Sequence, residues 1–135
     1  MCWIHLKRDK DLRIKPTPGM GLGLYTTRTR YPGALNASYT GEYLTGAEAE
    51  ERYPDPDRPA QYLLCNENGK QCIDGRKITS SFTRFINHSD HAPNIEFGVF
   101  RRRNPPHFKM RVLRYIPRNG ELLVDYGPHY DMRHP

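Results

Sequence analysis

The stretch Arg84-Phe85-Ile86-Asn87-His88-Ser89, followed further along by Glu121-Leu122-Leu123-Val124-Asp125-Tyr126-Gly127, decides how this chain is read. Two polar clusters sit inside apolar runs where an ordinary core would carry only Val, Leu and Ile. An Asn-His pair flanked by Phe and Ile must find partners for its amide and imidazole, because buried polar groups are tolerated only when hydrogen-bonded. A bound ligand can be that partner, so both clusters are candidates for one ligand site.

The rest of the composition frames that site. At 135 residues and 15.8 kDa the chain reads as one domain over 1–135, long enough to bury a core without metals or disulfides. With 11 Gly, 12 Pro and 9 Tyr against 36% hydrophobic residues, it points to a turn-rich, irregular β structure rather than disorder or a helical bundle. No apolar run approaches a membrane span, and Met1-Cys2-Trp3-Ile4-His5 turns charged without a signal-peptide apolar region. The expected setting is nuclear or cytoplasmic, not secreted. Cys2, Cys65 and Cys72 are odd in number and lack the short spacings that put two thiolates on one zinc ion. They are expected to be reduced and to serve as small hydrophobes, with no metal site.

The net charge of +6 is unevenly spread. Glu42, Glu48, Glu50, Glu51, Asp55 and Asp57 lie against a single Arg52, whereas Arg101, Arg102, Arg103, Lys109, Arg111, Arg114 and Arg118 run with no acid among them. The acidic segment suits a basic peptide, and the basic one, Arg101 to Arg103 above all, suits phosphates or an acidic partner.

Along the chain, Leu12 to Lys15 reads as a strand ended by Pro16-Thr17-Pro18-Gly19, and Gly19 to Thr27 as a glycine loop entering a second strand. The dinucleotide-binding glycine spacing is absent. Ala37 to Leu44 reads as a strand broken near Gly41. Thr45-Gly46-Ala47-Glu48 has the form of a capping box opening a helix to about Tyr53, stopped by Pro54, Pro56 and Pro59. Asn66-Glu67-Asn68-Gly69 between Tyr62-Leu63-Leu64-Cys65 and Gln71-Cys72-Ile73-Asp74 is a hairpin signal. A further strand pair is expected from Asn94 to Arg101 and from Lys109 to Tyr115.

Taken in order, these pieces resemble a SET-domain protein lysine methyltransferase, from about Lys15 to Tyr130. The resemblance rests on Gly21-Leu22-Gly23-Leu24-Tyr25, Tyr39 to Leu44, Ala47 to Arg52, Tyr62 to Leu64, Ile73 to Arg76, Arg84 to Ser89 with Pro93-Asn94, and Ile116-Pro117 leading to Glu121 through Gly127. It implies a mostly β fold with short helices (α+β), built of several small sheets with a C-terminal pseudoknot in which the Asn-His and Asp-Tyr-Gly segments cross. It implies S-adenosylmethionine as cofactor, held by Gly21, Leu22, Gly23 and Leu24 with Asn87, His88 and Tyr126. Tyr126 would be the catalytic-site tyrosine and Tyr39 a second channel tyrosine that orients the lysine, with Tyr62, Phe97 and Val124 as further channel positions. The partner would be a basic protein or peptide, a histone tail foremost.

Methyl transfer from a sulfonium to an amine is an in-line displacement, so positioning dominates its catalysis. A lysine with a reference pKa near 10.4 must also be made neutral, which an aromatic, desolvated channel favours. The chain departs from the family pattern in places. Asp90-His91-Ala92 adds one residue between Ser89 and Pro93-Asn94, Asn119-Gly120-Glu121 stands where Gly-Glu-Glu is common, and flanking cysteine-rich segments are missing. The terminal segment with Tyr130, or a second copy of the chain in a homodimer, would then cover the lysine channel. Two alternatives stand beside this reading: a non-catalytic PR/SET-like interaction module, and a nucleic-acid-binding β domain using the Arg101 to Arg118 stretch.

Overall fold

In the computed structural model, which describes residues 11–55, 57, 60, 62–66, 68–77 and 82–125, the chain is built mainly of short strands. Strand β1 (Leu12–Thr17) pairs antiparallel with β2 (Gly21–Thr26), Leu12 facing Thr26 and Thr17 facing Gly21. The strand runs past Lys15, where the sequence suggested an end, because β1 pairs on one side only and Pro16 there forfeits no ladder bond.

Strand β3 (Gly33–Thr40) and β4 (Glu42–Thr45) flank Gly41, where the chain passes from one sheet to another. Helix α1 (Gly46–Arg52) then starts on the expected capping box: Glu48 N donates to Thr45 Oγ1 and Thr45 N donates to the Glu48 carboxylate. It ends at Tyr53, next to Pro54, since the residue before a proline is pushed out of the helical region. Strand β5 (Leu63–Cys65) and β6 (Gln71–Asp74) form the expected hairpin and, with β4, a three-stranded sheet in the order β4-β6-β5. Beneath α1 this sheet buries Leu44, Ala49, Ala60, Leu63 and Cys72.

The hairpin also corrects the expectation of reduced cysteines. Its register sets Cys65 directly opposite Cys72, and the two form a disulfide. Cysteine spacing alone concealed this, because what brings the pair together is the hairpin register rather than a short ligand-like interval.

After a 3-10 turn at Phe82–Phe85 come β7 (Asn87–His88), β8 (Ile95–Arg101), β9 (His107–Val112) and β10 (Leu123–Val124). With β3 they make a five-stranded sheet in the order β3-β9-β8-β10-β7. Strand β10 lies between β7 and β8 and is parallel to both, Leu123 opposite Asn87 and Val124 opposite His88 and Ile95. The last described strand is thus threaded between two earlier ones, so the segment leading to Asp125 crosses the Asn-His segment. Around it lies the main core, including Leu24, Tyr39, Ile73, Ile86, Ile95, Phe108, Met110, Leu122 and Val124. No described helix is long and apolar enough to cross a membrane.

Candidate active site

Strands β1 and β2 bring a polar cluster against β7 and the segment before β10. Asn87 Nδ2 donates to the Leu22 carbonyl at 3.1 Å and to Glu121 Oε2 at 2.7 Å. Two acceptors on one nitrogen fix which way the amide points. Thr17 Oγ1 donates to the same carboxylate oxygen at 3.4 Å and lies 2.7 Å from the Tyr25 hydroxyl. Gly23 sits in the middle: a Cβ there would come within 2.4 Å of Thr17 Oγ1, 2.5 Å of Glu121 Oε2 and 3.0 Å of Asn87 Nδ2. Gly21 is needed for a different reason. Its φ of +80° lies in the left-handed region, with open space where a side chain would be.

The backbone carrying Glu121 is held from two directions, by β2 and by Asn94. Tyr25 and Glu121 form an isolated antiparallel bridge, and Leu122 N donates to the Leu24 carbonyl at 2.8 Å. Asn94 clamps the same turn, donating from Nδ2 to the Glu121 carbonyl at 3.0 Å and accepting at Oδ1 from Leu123 N at 2.8 Å.

Close by is an aromatic cluster. Tyr39 is 1% exposed and donates its hydroxyl proton to the Tyr62 carbonyl, which also accepts from Gly75 N. Phe97 meets the Tyr39 ring edge-on, with centroids 5.8 Å apart, and packs on Phe108 at 5.9 Å. The Tyr62 ring is edge-on to Phe85 at 5.9 Å, and the Arg84 guanidinium lies over both rings while donating to the Gly75 and Lys77 carbonyls. Only Ile86 separates Phe85 in this cluster from Asn87 in the polar one.

A third network ties α1 to β6. The side chain of Asp74 is wholly buried, accepting from Arg52 at 3.1 Å, from the Tyr53 hydroxyl and from Arg76 N at 3.1 Å. Burial first, and the bond to Asp74 second, push the Tyr53 hydroxyl up to about 12. Arg52 forks onto both oxygens of Glu42 at 2.8 and 2.9 Å and holds that carboxyl below its usual range. The acidic face is therefore smaller than the sequence suggests, Glu42 being matched by Arg52. The basic run is reduced in the same way: Arg111 pairs with Glu96 across β8 and β9, and the Arg102 guanidinium rests 4.4 Å above the Tyr43 ring.

The structure thus brings Leu22, Gly23 and Asn87 into one polar cluster and Tyr39, Tyr62 and Phe97 into one aromatic cluster. Asn87 and His88 are half-buried rather than enclosed. Leu24 and Val124 are fully buried in the main core, and His88 joins through its backbone pairing with Val124. Tyr126 lies outside the described residues, as does Tyr130. Thr17 and Glu121 carried no role in the sequence reading. The available signal was Glu121 itself, an acid opening an apolar run.

A threaded final strand, a glycine strand held against an Asn-His strand and a buried tyrosine beside them define a SET domain. The sequence profile of the SET domain matches residues 21–127, and the chain belongs to that family. Relatives include the histone-lysine N-methyltransferase set-1 of Caenorhabditis elegans, 32% identical over 112 residues, spanning 79% of this chain and 46% of the relative. The histone-lysine N-methyltransferase MEDEA of Arabidopsis thaliana is 30% identical over 127 residues, spanning 93% of this chain and 18% of the relative. The human histone-lysine N-methyltransferase EHMT1 is 30% identical over 125 residues, 88% of this chain and 9% of the relative. The chain spans less than half the length of each of these relatives.

Proposed function

We propose that the chain is an S-adenosylmethionine-dependent protein lysine methyltransferase acting on a basic tail, with a histone as substrate and chromatin in the nucleus as its setting. The observation that carries this reading is the adjacency of the polar cluster at Gly23 and Asn87 to the aromatic cluster at Tyr39. One suits the amino-acid end of a cofactor and the other an alkyl amine.

The residues fit the cofactor. Oδ1 of Asn87 has no partner among the described residues, and the residue is half-buried. An amide oxygen with free lone pairs is an acceptor that a ligand ammonium seeks. When bound, S-adenosylmethionine supplies an electrophilic methyl group on a positively charged sulfur.

The chain's own work is then to orient and desolvate. Because the Tyr39 hydroxyl commits its proton to the Tyr62 carbonyl, it offers lone pairs to an incoming amine N–H. Phe97 and the Tyr62 ring exclude water around an alkyl chain, and loss of hydration disfavours the ammonium form of lysine. Tyr126 is assigned the second hydroxyl at the transfer point. His88, Leu24 and Gly21 are assigned main-chain contacts to the cofactor, and Val124 the wall behind the channel.

Incubation with labelled S-adenosylmethionine and core histones tests the proposal. Label should enter lysine, and Asn87→Ala should greatly weaken cofactor binding measured by calorimetry at high ligand concentration. Wild-type protein that neither binds the cofactor nor transfers label would overturn it.

A further inference from the structure

We infer that Glu121 is a positioning residue for the cofactor site, acting through Asn87. The inference rests on the methyltransferase reading and assigns to this site a residue that reading leaves idle.

A primary amide presents two different ends, and a ligand ammonium can be held only by the oxygen. An asparagine facing a single protein acceptor can turn over and offer its NH2 group, which would repel a cation. Here Nδ2 is engaged by the Leu22 carbonyl and by the Glu121 carboxylate, the latter at 2.7 Å, within the range of charge-assisted bonds. Both partners are acceptors, so a flipped amide would set its oxygen against two others. Oδ1 is thereby aimed away from them.

Of the two acceptors, Glu121 is the one a mutation can remove, since the other is backbone. Its own placement is not left to chance. Asn94 clamps its carbonyl and the next amide but one, and the bridge to Tyr25 fixes the segment it rides on. Thr17 donates to the same carboxylate oxygen, and the absence of a Cβ at Gly23 leaves room for it. Among the described residues Glu121 makes no salt bridge. A surface carboxylate serving only solubility would not be seated this way. One meant to be neutralised by the protein would face Lys or Arg.

The test compares wild type with Asn87→Ala, Glu121→Ala, Glu121→Gln and the Asn87→Ala/Glu121→Ala double variant by S-adenosylmethionine calorimetry. Glu121→Ala should weaken affinity about ten- to a hundredfold. The double variant should be no weaker than Asn87→Ala alone, because one residue works through the other. Glu121→Gln, which still offers an acceptor oxygen, should stay within about threefold of wild type. Additive losses in the double variant, or a glutamine variant as weak as the alanine one, would overturn the inference.

A second readout does not depend on the ligand. In nitrogen-resolved NMR the Asn87 side-chain amide protons should be well separated and slow to exchange in wild type and in Glu121→Gln. If wild type binds no cofactor, the function proposed above fails while this spectrum still decides the role of Glu121. Unchanged Asn87 signals in Glu121→Ala would sink it.

Discussion

Alanine in place of Gly23 and alanine in place of Gly21 should fail for different reasons, and the difference can be measured. At Gly21 a methyl group meets nothing within 4 Å, so its cost is the left-handed backbone at φ +80°. That conformation costs a non-glycine residue about 1–2 kcal/mol. At Gly23 the methyl group would lie 2.4 Å from Thr17 Oγ1 and 2.5 Å from Glu121 Oε2, distances no carbon tolerates. Glu121 can swing aside, because its carboxylate is the end of a flexible chain. Doing so breaks its bond to Asn87, and hydrogen bonds to a charged group are worth about 1.5–3 kcal/mol. Thr17 is short and β-branched, and forcing it off its rotamer adds about 0.5–1.5 kcal/mol. Gly23→Ala should therefore lose roughly 2–4.5 kcal/mol of the roughly 5–15 typical of a domain. Urea unfolding reads that loss, and calorimetry reads the cofactor. Gly21→Ala should stay folded with its polar cluster intact and bind S-adenosylmethionine within several-fold of wild type. Gly23→Ala should bind at least tenfold less tightly even where it is fully folded. Equal stability and equal binding for the two variants would refute the argument from close approach.

Three further outcomes are expected. Tyr126→Phe should lower turnover ten- to a thousandfold, on the order of 1.4–4 kcal/mol in the barrier, with little change in cofactor affinity; wild-type turnover would remove the tyrosine from the reaction. Replacing Glu48, Glu50 and Glu51 by Gln should raise KM for a histone-like peptide more than it lowers kcat and should flatten the dependence of KM on salt. Helix α1 should survive, since Gln at position 48 still completes the capping box, and an unchanged KM would mean a merely solvated face. Glu42 has a carboxyl held below its ordinary value of 4.5, so its bond to Arg52 contributes stability that is full above that pH and is lost as pH falls through the folded-state value. The acid limb of the stability curve should be shallower in Glu42→Gln, and superimposable curves would contradict the pairing.

The strand order of the chain was largely readable because its signals are local. The capping box at Thr45 and Glu48, the hairpin turn at Asn68-Gly69 and the break at Gly41 each act over a few residues, and all stand where those residues place them. What the sequence could not display is register. Cys65 and Cys72 meet only because β5 and β6 align in one particular way, and nothing in their spacing distinguishes that alignment from one residue's slip. The site divides along the same line. Tyr39, Asn87 and the glycines belong to motifs and were visible, whereas Thr17 reads as one more turn residue until β1 and β2 are paired. Glu121 was in view throughout, but its use depends on which amide it faces.

The bond between Thr17 and Glu121 spans 104 positions of sequence. A growing chain cannot assemble this polar cluster from its first half, nor from any fragment that stops short of the strand threaded between β7 and β8. Contacts closing so long a loop form late and slowly. Under the function proposed above, affinity for the cofactor becomes a test of completion: a truncated or misthreaded molecule lacks the cluster that would hold it. By mass action, ligand present at a hundred times its Kd would favour the finished form by about 2.7 kcal/mol and leave every unfinished one unassisted.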